Sequence, residues 1–131
     1  EPFLIANSIK LVMAQRLVRK ICPRCKEEYI PDTKVLQNLN TNITLKDKEN
    51  IKLYRGKGCS YCKNTGYRGR TAIFELVRIN DEIRTMIMNN TSSNEIKKYA
   101  IKNGMKTLFD SGIEKALWGI TTIDEVLRVA V

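Results

Sequence analysis

The residues in this sequence best placed to do chemistry are its four cysteines. Cys22, Cys25, Cys59 and Cys62 form two C-x-x-C pairs with no cysteine left over. Two residues between sulfurs let one tight turn aim both thiolates at a single point, and two such turns supply the four tetrahedral ligands that structural Zn²⁺ prefers. The turn chemistry agrees. Pro23 fixes φ just after the first sulfur, and Gly58 precedes Cys59 where the second turn needs room. The pairs are further apart than in the commonest zinc ribbons, so a stretch with its own short helix is expected to loop out between them. Two disulfides are the other reading of paired cysteines; they need an oxidising compartment, to which nothing in the sequence points. A catalytic dithiol fits less well, because two matched pairs are one too many for a thioredoxin-like motif. Four thiolates close the zinc coordination shell, so the expected metal is structural and not catalytic.

What is missing narrows the chemistry further. The 131 residues contain no histidine. That removes the Ser-His-Asp and Cys-His nucleophile systems and any histidine base or metal ligand. At 43% hydrophobic and 28% charged residues the balance is that of a globular chain. No apolar run approaches the ~20 residues of a membrane-spanning helix, and the N-terminus lacks a signal-peptide pattern. The chain opens at Glu1 rather than Met, and a piece of a longer protein is expected.

The net charge is +9, and it is concentrated. Arg16, Arg19, Lys20, Arg24 and Lys26 fall within residues 16–26, and Lys52, Arg55, Lys57, Lys63, Arg68 and Arg70 within 52–70, with no acid in either stretch. One reading is that these cations offset a zinc tetrathiolate, four negative charges against two positive, and solvate the surface. A second is a contact patch for anionic lipid headgroups or an acidic partner. A third is nucleic acid, which a zinc knuckle beside basic residues also fits. The aromatics are sparse and do not interleave with the basic runs as stacking platforms would.

The elements that must position the cysteines follow from periodicity and caps. Ile5, Ile9, Val12, Met13, Leu17 and Ile21 recur at three- and four-residue steps and predict a helix over 5–21, stopped by Pro23. The first cysteine turn would then sit at a helix C-terminus. A short helix is expected from Pro31 to about Leu39, an Asn-rich loop excursion over 38–50, and a short strand over Ile51–Arg55. Residues 64–70 form a glycine-punctuated turn. Thr71–Ile79, apolar on both faces, predicts a strand buried in a sheet. Its partners are either short local strands or strands outside these residues. Glu75, alone on that strand, is expected to pair with an arginine. Beyond it, Asn80 or Asp81, Ser92-Ser-Asn-Glu95 and Thr122-Ile-Asp-Glu125 read as helix starts, and Gly104 and Gly119 as helix ends. Trp118, at a helix end, reads as a core or interface anchor. The fold class is α+β, mostly helical.

These motifs in this order resemble one family. They are Glu1-Pro-Phe-Leu4, Ala14-Gln-Arg-Leu-Val-Arg19 leading into Cys22-Pro-Arg-Cys25, Gly58-Cys-Ser-Tyr-Cys62, Thr65-Gly-Tyr-Arg-Gly-Arg70, Ile73-Phe-Glu75, Asp110-Ser-Gly-Ile-Glu-Lys115 and Gly119-Ile-Thr-Thr-Ile-Asp-Glu-Val126. Over essentially its whole length the chain resembles the C-terminal part of the type II secretion and type IV pilus assembly ATPases. The resemblance implies a cytoplasmic hexameric motor, peripheral at the inner face of the bacterial membrane, whose RecA-like domain hydrolyses ATP with Mg²⁺. Its partners would be an inner-membrane platform protein and a cytoplasmic adaptor. It implies the closing helix of the motor domain over 1–21, a zinc-binding subdomain over 22–66, a return strand over 67–80 and a C-terminal helical region over 81–131. The phosphate-binding loop would lie upstream of Glu1. No G-x-x-x-x-G-K-[ST] is present in these residues, so they are not expected to hydrolyse ATP alone. Arg68 and Arg70 would be candidates for contact with the nucleotide-bearing portion, within or between subunits. The alternative is a stand-alone zinc-ribbon module that binds nucleic acid. Asp110-Ser111 stands where relatives often carry an acid followed directly by Gly.

Overall fold

The computed structural model describes residues 1–37, 39 and 51–130. The loop excursion expected over 38–50 lies outside them except for Leu39. In chain order the elements are α1 (Pro2–Ser8), β1 (Leu11–Ile21), β2 (Lys26–Tyr29), α2 (Thr33–Gln37) and β3 (Leu53–Gly56). A 3₁₀ turn at Ser60–Cys62 precedes β4 (Tyr67–Arg78), and then come α3 (Asp81–Met88), α4 (Ser93–Lys102), α5 (Leu108–Leu117) and α6 (Ile123–Ala130). β1 pairs with β4, and β2 pairs antiparallel with β3, with Lys26 opposite Gly56 and Tyr29 opposite Leu53. The chain is a mixture of helix and strand, as expected for an α+β fold.

The helix expected over 5–21 is a correction. Only Pro2–Ser8 is helical, and residues 11–21 form an eleven-residue strand. Ile9, Met13, Leu17 and Ile21 also lie at even spacings, so most of the same residues satisfy a period of two, Val12 excepted. Pairing with β4 decides between the periods. The first cysteine turn therefore leaves a strand, not a helix. β4 finds its partner locally, in β1, and is half-exposed rather than buried, with Phe74 and Leu76 open.

The chain divides into two compact units, Glu1–Ala14 with Phe74–Thr107, and Gln15–Ile73 with Leu108–Val131. The helical region expected over 81–131 is thereby split: α3 and α4 belong to the first unit, α5 and α6 to the second. In the first unit, Ala6, Ile79, Ile83 and Ala100 are buried. Arg84 Nε donates to the Ala6 carbonyl (3.2 Å), and Ile79 N–H donates to the Lys10 carbonyl (2.9 Å). Asn80 caps α3 by accepting from Ile83 N–H (2.9 Å), and Ser92 caps α4 by accepting from Glu95 N–H (3.3 Å). Glu75 pairs with Lys97 at 3.8 Å.

The second unit holds the cysteines, and its core is Leu36, Leu53, Ile113, Ala116, Ile123 and Val126. Four of these six come from α5 and α6, so the C-terminal helices supply most of the apolar body on which β3 and α2 rest. The two helices approach closely at Gly112, where a Cβ would stand 2.6 Å from Val126 Cγ1. Trp118, at the end of α5, is 66% exposed and is not a core residue.

Candidate metal centre

Each cysteine turn is held by main-chain bonds that its own sequence makes possible. At the first, Cys22 N–H donates to the Gly66 carbonyl (2.9 Å), and the Cys25 carbonyl accepts from Lys57 N–H (3.1 Å). These bonds tie the end of β1 and the start of β2 to the second turn. At the second turn, Asn64 N–H closes back on the Cys59 carbonyl (2.8 Å), and Lys63 and Asn64 adopt left-handed φ values of 56° and 63°. Gly66 is a position where no side chain fits. Its φ is +81°, and a Cβ there would stand 2.7 Å from the Gly56 carbonyl oxygen.

The four sulfurs converge. All lie within 4.8 Å of one another, with Cys22–Cys59 at 3.7 Å, Cys59–Cys62 at 3.7 Å and Cys25–Cys62 at 3.8 Å. A tetrahedron with zinc–sulfur bonds of about 2.3 Å has edges of about 3.8 Å. A disulfide needs sulfurs about 2.05 Å apart, so all four cysteines are free thiols here. Backbone N–H groups point at the sulfurs as they do at thiolates: Gly58 to Cys25 (3.3 Å), and Cys59 and Gly66 to Cys62 (3.3 and 3.2 Å). The residues present therefore fit a divalent, thiolate-seeking cation.

The thiols split in their acidity. Burial pushes Cys25 up to about 12, against the Gly58 N–H that favours its thiolate. Burial also opposes ionisation of Cys62, but the N–H groups of Cys59 and Gly66 outweigh it and bring that thiol down to about 6. Crowded sulfurs share one negative charge more easily than four.

Arg68 and Arg70 stand next to this centre but are not brought to any catalytic group among the described residues. Arg68 Nη1 donates to the Tyr61 carbonyl (3.1 Å), and its guanidinium lies 4.1 Å from the Tyr61 ring centroid. Arg24 shares that ring at 3.9 Å. Arg70 lines a surface hollow of about 250 Å³ together with Arg19, Thr65, Tyr67, Arg68 and Gly69.

Sequence reasoning missed two features. The first is Glu125, which is 1% exposed and accepts five hydrogen bonds. Arg19 gives it three, from its backbone N–H (2.7 Å), Nε (3.1 Å) and Nη2 (3.1 Å), and Arg128 gives two (2.9 and 2.8 Å). These donors, the Arg128 guanidinium first, outweigh desolvation and hold the carboxyl down at about 2. In the sequence Glu125 reads only as the far end of a capping box. Thr122 does cap α6, accepting from Glu125 N–H at 3.0 Å, while the carboxylate turns to the arginines. The second is the pairing of cations with rings. Arg19 sits over Tyr67, Arg24 and Arg68 over Tyr61, Lys26 over Tyr54 and Arg55 over Tyr29. The aromatics and the basic runs do interleave, across strands rather than along the sequence.

Known proteins give this geometry a context. A family model described as "Type II/IV secretion system protein" matches residues 1–128. The chain is 46% identical over 127 residues to a type IV pilus assembly ATPase, PilB, of Thermus thermophilus, covering 97% of this chain and 14% of that protein. It is 43% identical over 129 residues to type II secretion system protein E of Pseudomonas aeruginosa, covering 98% of this chain and 25% of that protein. Against the type II secretion system ATPase E of Vibrio cholerae the identity is 40%, with the same two coverages. The chain thus spans a quarter or less of the length of these curated relatives.

Proposed function

The chain belongs to the type II/IV secretion system protein family, and from that premise we propose that it is the zinc-binding C-terminal part of a hexameric motor ATPase that drives type IV pilus assembly or type II secretion. The observation that carries this reading is the match itself, 97–98% of this chain against proteins named as pilus assembly and secretion ATPases. The cysteine tetrad supports the metal part. Cys22, Cys25, Cys59 and Cys62 are its ligands, and bound Zn²⁺ would supply cross-linking between the two turns and no catalysis.

The remainder of the motor lies, in this reading, on a RecA-like domain that β1 and β4 complete. β1 carries Leu11 and Met13 at 55% and 57% exposure, with Val12 and Leu17 also open. Such a strand surface is what the rest of a motor domain would cover. ATP and Mg²⁺ are held by that domain, and the residues present here do not turn ATP over alone. No helix among the described residues is long and apolar enough to cross a membrane. The proposed location is the cytoplasmic face of the inner membrane, with the platform protein and the cytoplasmic adaptor as partners.

A stand-alone nucleic-acid module is the less favoured reading. Tyr29, Tyr54, Tyr61 and Tyr67 each already hold a cation on the ring, which takes at least one of the two faces a base could stack on. Metal analysis and ATP turnover of the chain, alone and joined to the motor portion of a relative, test the proposal. About one zinc per chain, with turnover only in the joined protein, is the expected result. A metal-free chain refutes the zinc assignment, and no turnover in the joined protein refutes the motor assignment.

A further inference from the structure

The two cysteine turns meet as equivalents. Cys22 faces Cys59 at 3.7 Å and Cys25 faces Cys62 at 3.8 Å, first cysteine to first and second to second. The residue just before the second cysteine of each turn is thereby brought towards its counterpart: Arg24 in Cys22-Pro-Arg-Cys25, and Tyr61 in Cys59-Ser-Tyr-Cys62. The two are in contact, with the Arg24 guanidinium carbon 3.9 Å from the Tyr61 ring centroid. Arg68, on β4, brings a second guanidinium to the same ring at 4.1 Å, and its Nη1 donates to the Tyr61 carbonyl at 3.1 Å.

These side chains join parts of the centre that the main chain does not. The bonds from Cys22 N–H to the Gly66 carbonyl and from Lys57 N–H to the Cys25 carbonyl tie the first turn to the segments before Cys59 and after Cys62. The Arg24–Tyr61 contact instead bridges the stretches between the sulfurs, turn to turn, and it is made of protein groups alone. An ion held by two thiolates from each turn is released as the turns part, and a contact between the turns opposes that. The residue types suit this task. A guanidinium is planar and weakly hydrated, so it stacks on a tyrosine ring better than a compact, strongly hydrated ammonium does. Four thiolates on one divalent cation also leave two net negative charges at the centre, which favour two guanidiniums nearby.

We propose that Arg24, Tyr61 and Arg68 form a clasp across the two cysteine turns that sets how slowly the centre gives up its metal. None of the three is a ligand. They are positioning residues: Arg24 and Tyr61 act through Cys25 and Cys62, their neighbours in the chain, and Arg68 holds the ring in place. The clasp presupposes the zinc assignment above but not the motor assignment. Each exposed guanidinium–ring contact corresponds to about two- to five-fold in a rate or equilibrium, so the loss of both corresponds to about ten-fold.

The test is the first-order rate at which the zinc-loaded chain passes its metal to an excess of chromogenic chelator. Tyr61→Leu removes both ring contacts and is expected to speed release about ten-fold, and Arg24→Gln, which removes one, about three-fold. Tyr61→Phe keeps the ring and is expected to stay within about two-fold of the parent chain. Lys20→Gln removes the same charge as Arg24→Gln from an exposed position two residues before Cys22, and it too is expected to stay within about two-fold. Arg24→Gln combined with Tyr61→Leu should release zinc no faster than Tyr61→Leu alone, since Arg24 then has no ring to lose. Metal content confirms loading of each variant; should Tyr61→Leu fail to take up zinc, Arg24→Gln, Lys20→Gln and Tyr61→Phe carry the comparison. A rate for Arg24→Gln equal to that of the parent chain or of Lys20→Gln, equal acceleration by Tyr61→Phe and Tyr61→Leu, or additive effects in the double variant would each overturn the clasp and leave the zinc assignment standing. A parent chain that takes up no zinc would overturn both.

Discussion

Glu125→Gln is the most informative single change in this chain, because it removes one charge from a buried carboxylate and alters little else in shape. The carboxyl lies at about 2 in the folded protein against an ordinary 4.5. At 1.36 kcal/mol for each tenfold change in proton affinity, the difference is worth about 3 kcal/mol of stability at neutral pH. Because the folded state holds this group ionised more firmly than the unfolded state does, the stabilisation is complete above about pH 5. It fades as pH falls from about 4.5 towards 2, and it is gone below that. Glutamine cannot ionise, and its amide would face the donors of Arg19 and Arg128 with a donor of its own. Urea unfolding of the chain and the variant, from pH 7 down to pH 2, reads the difference directly. Whatever acid does to the cysteines is common to both proteins and cancels. The expected gap is about 3 kcal/mol at pH 7, or roughly 10 °C in Tm for a domain of this size, closing steadily below pH 5. A gap under about 0.5 kcal/mol at pH 7, or one that stays constant between pH 5 and pH 2, would refute the role assigned to this carboxylate.

Three further outcomes follow from the packing and the metal centre. Gly112→Ala drives a methyl to within 2.6 Å of Val126 Cγ1. It should cost about 1–3 kcal/mol in urea unfolding, and Val126→Ala in the same chain should recover part of that loss. Gly66→Ala meets backbone rather than a flexible side chain, 2.7 Å from the Gly56 oxygen at a φ of +81°. It should destabilise by about 2 kcal/mol or more and weaken zinc retention, measured by transfer to a chromogenic chelator. Chelation of the metal, or Cys59→Ser, should collapse the amide spectrum of Gln15–Ile73 and α5–α6 while leaving α3 and α4 largely intact, as two-dimensional NMR would show.

What could be read from the sequence was whatever is decided over a few residues. The cysteine tetrad was legible because C-x-x-C fixes its own turn and metal chemistry fixes how many turns must meet. Asn80, Ser92 and Thr122 were legible as caps because the bond runs only three residues. β1 was not: its apolar residues fit a helix and a strand alike, and a strand that is one wall of a ladder is chosen by its partner 50 or so residues away. The Glu125 cluster was illegible for a related reason. Thr122 and Glu125 satisfy a local template, whereas Arg19 stands 106 residues earlier. The distribution of α3–α6 between two units also rests on long-range contacts, which no helix cap encodes.

The interleaving of the two units bears on the order in which the protein can be made. The cysteine unit takes most of its core from Ile113, Ala116, Ile123 and Val126, yet Cys62 leaves the ribosome about fifty residues before the first of them. At the usual pace of synthesis that is a wait of roughly 3–10 s. All of the other unit's segment from Phe74 to Thr107 emerges in the interval. A nascent chain thus carries all four thiols while two thirds of that core is still to be made. Early zinc capture would clip the two turns together and keep the thiols from oxidation until the last helices arrive.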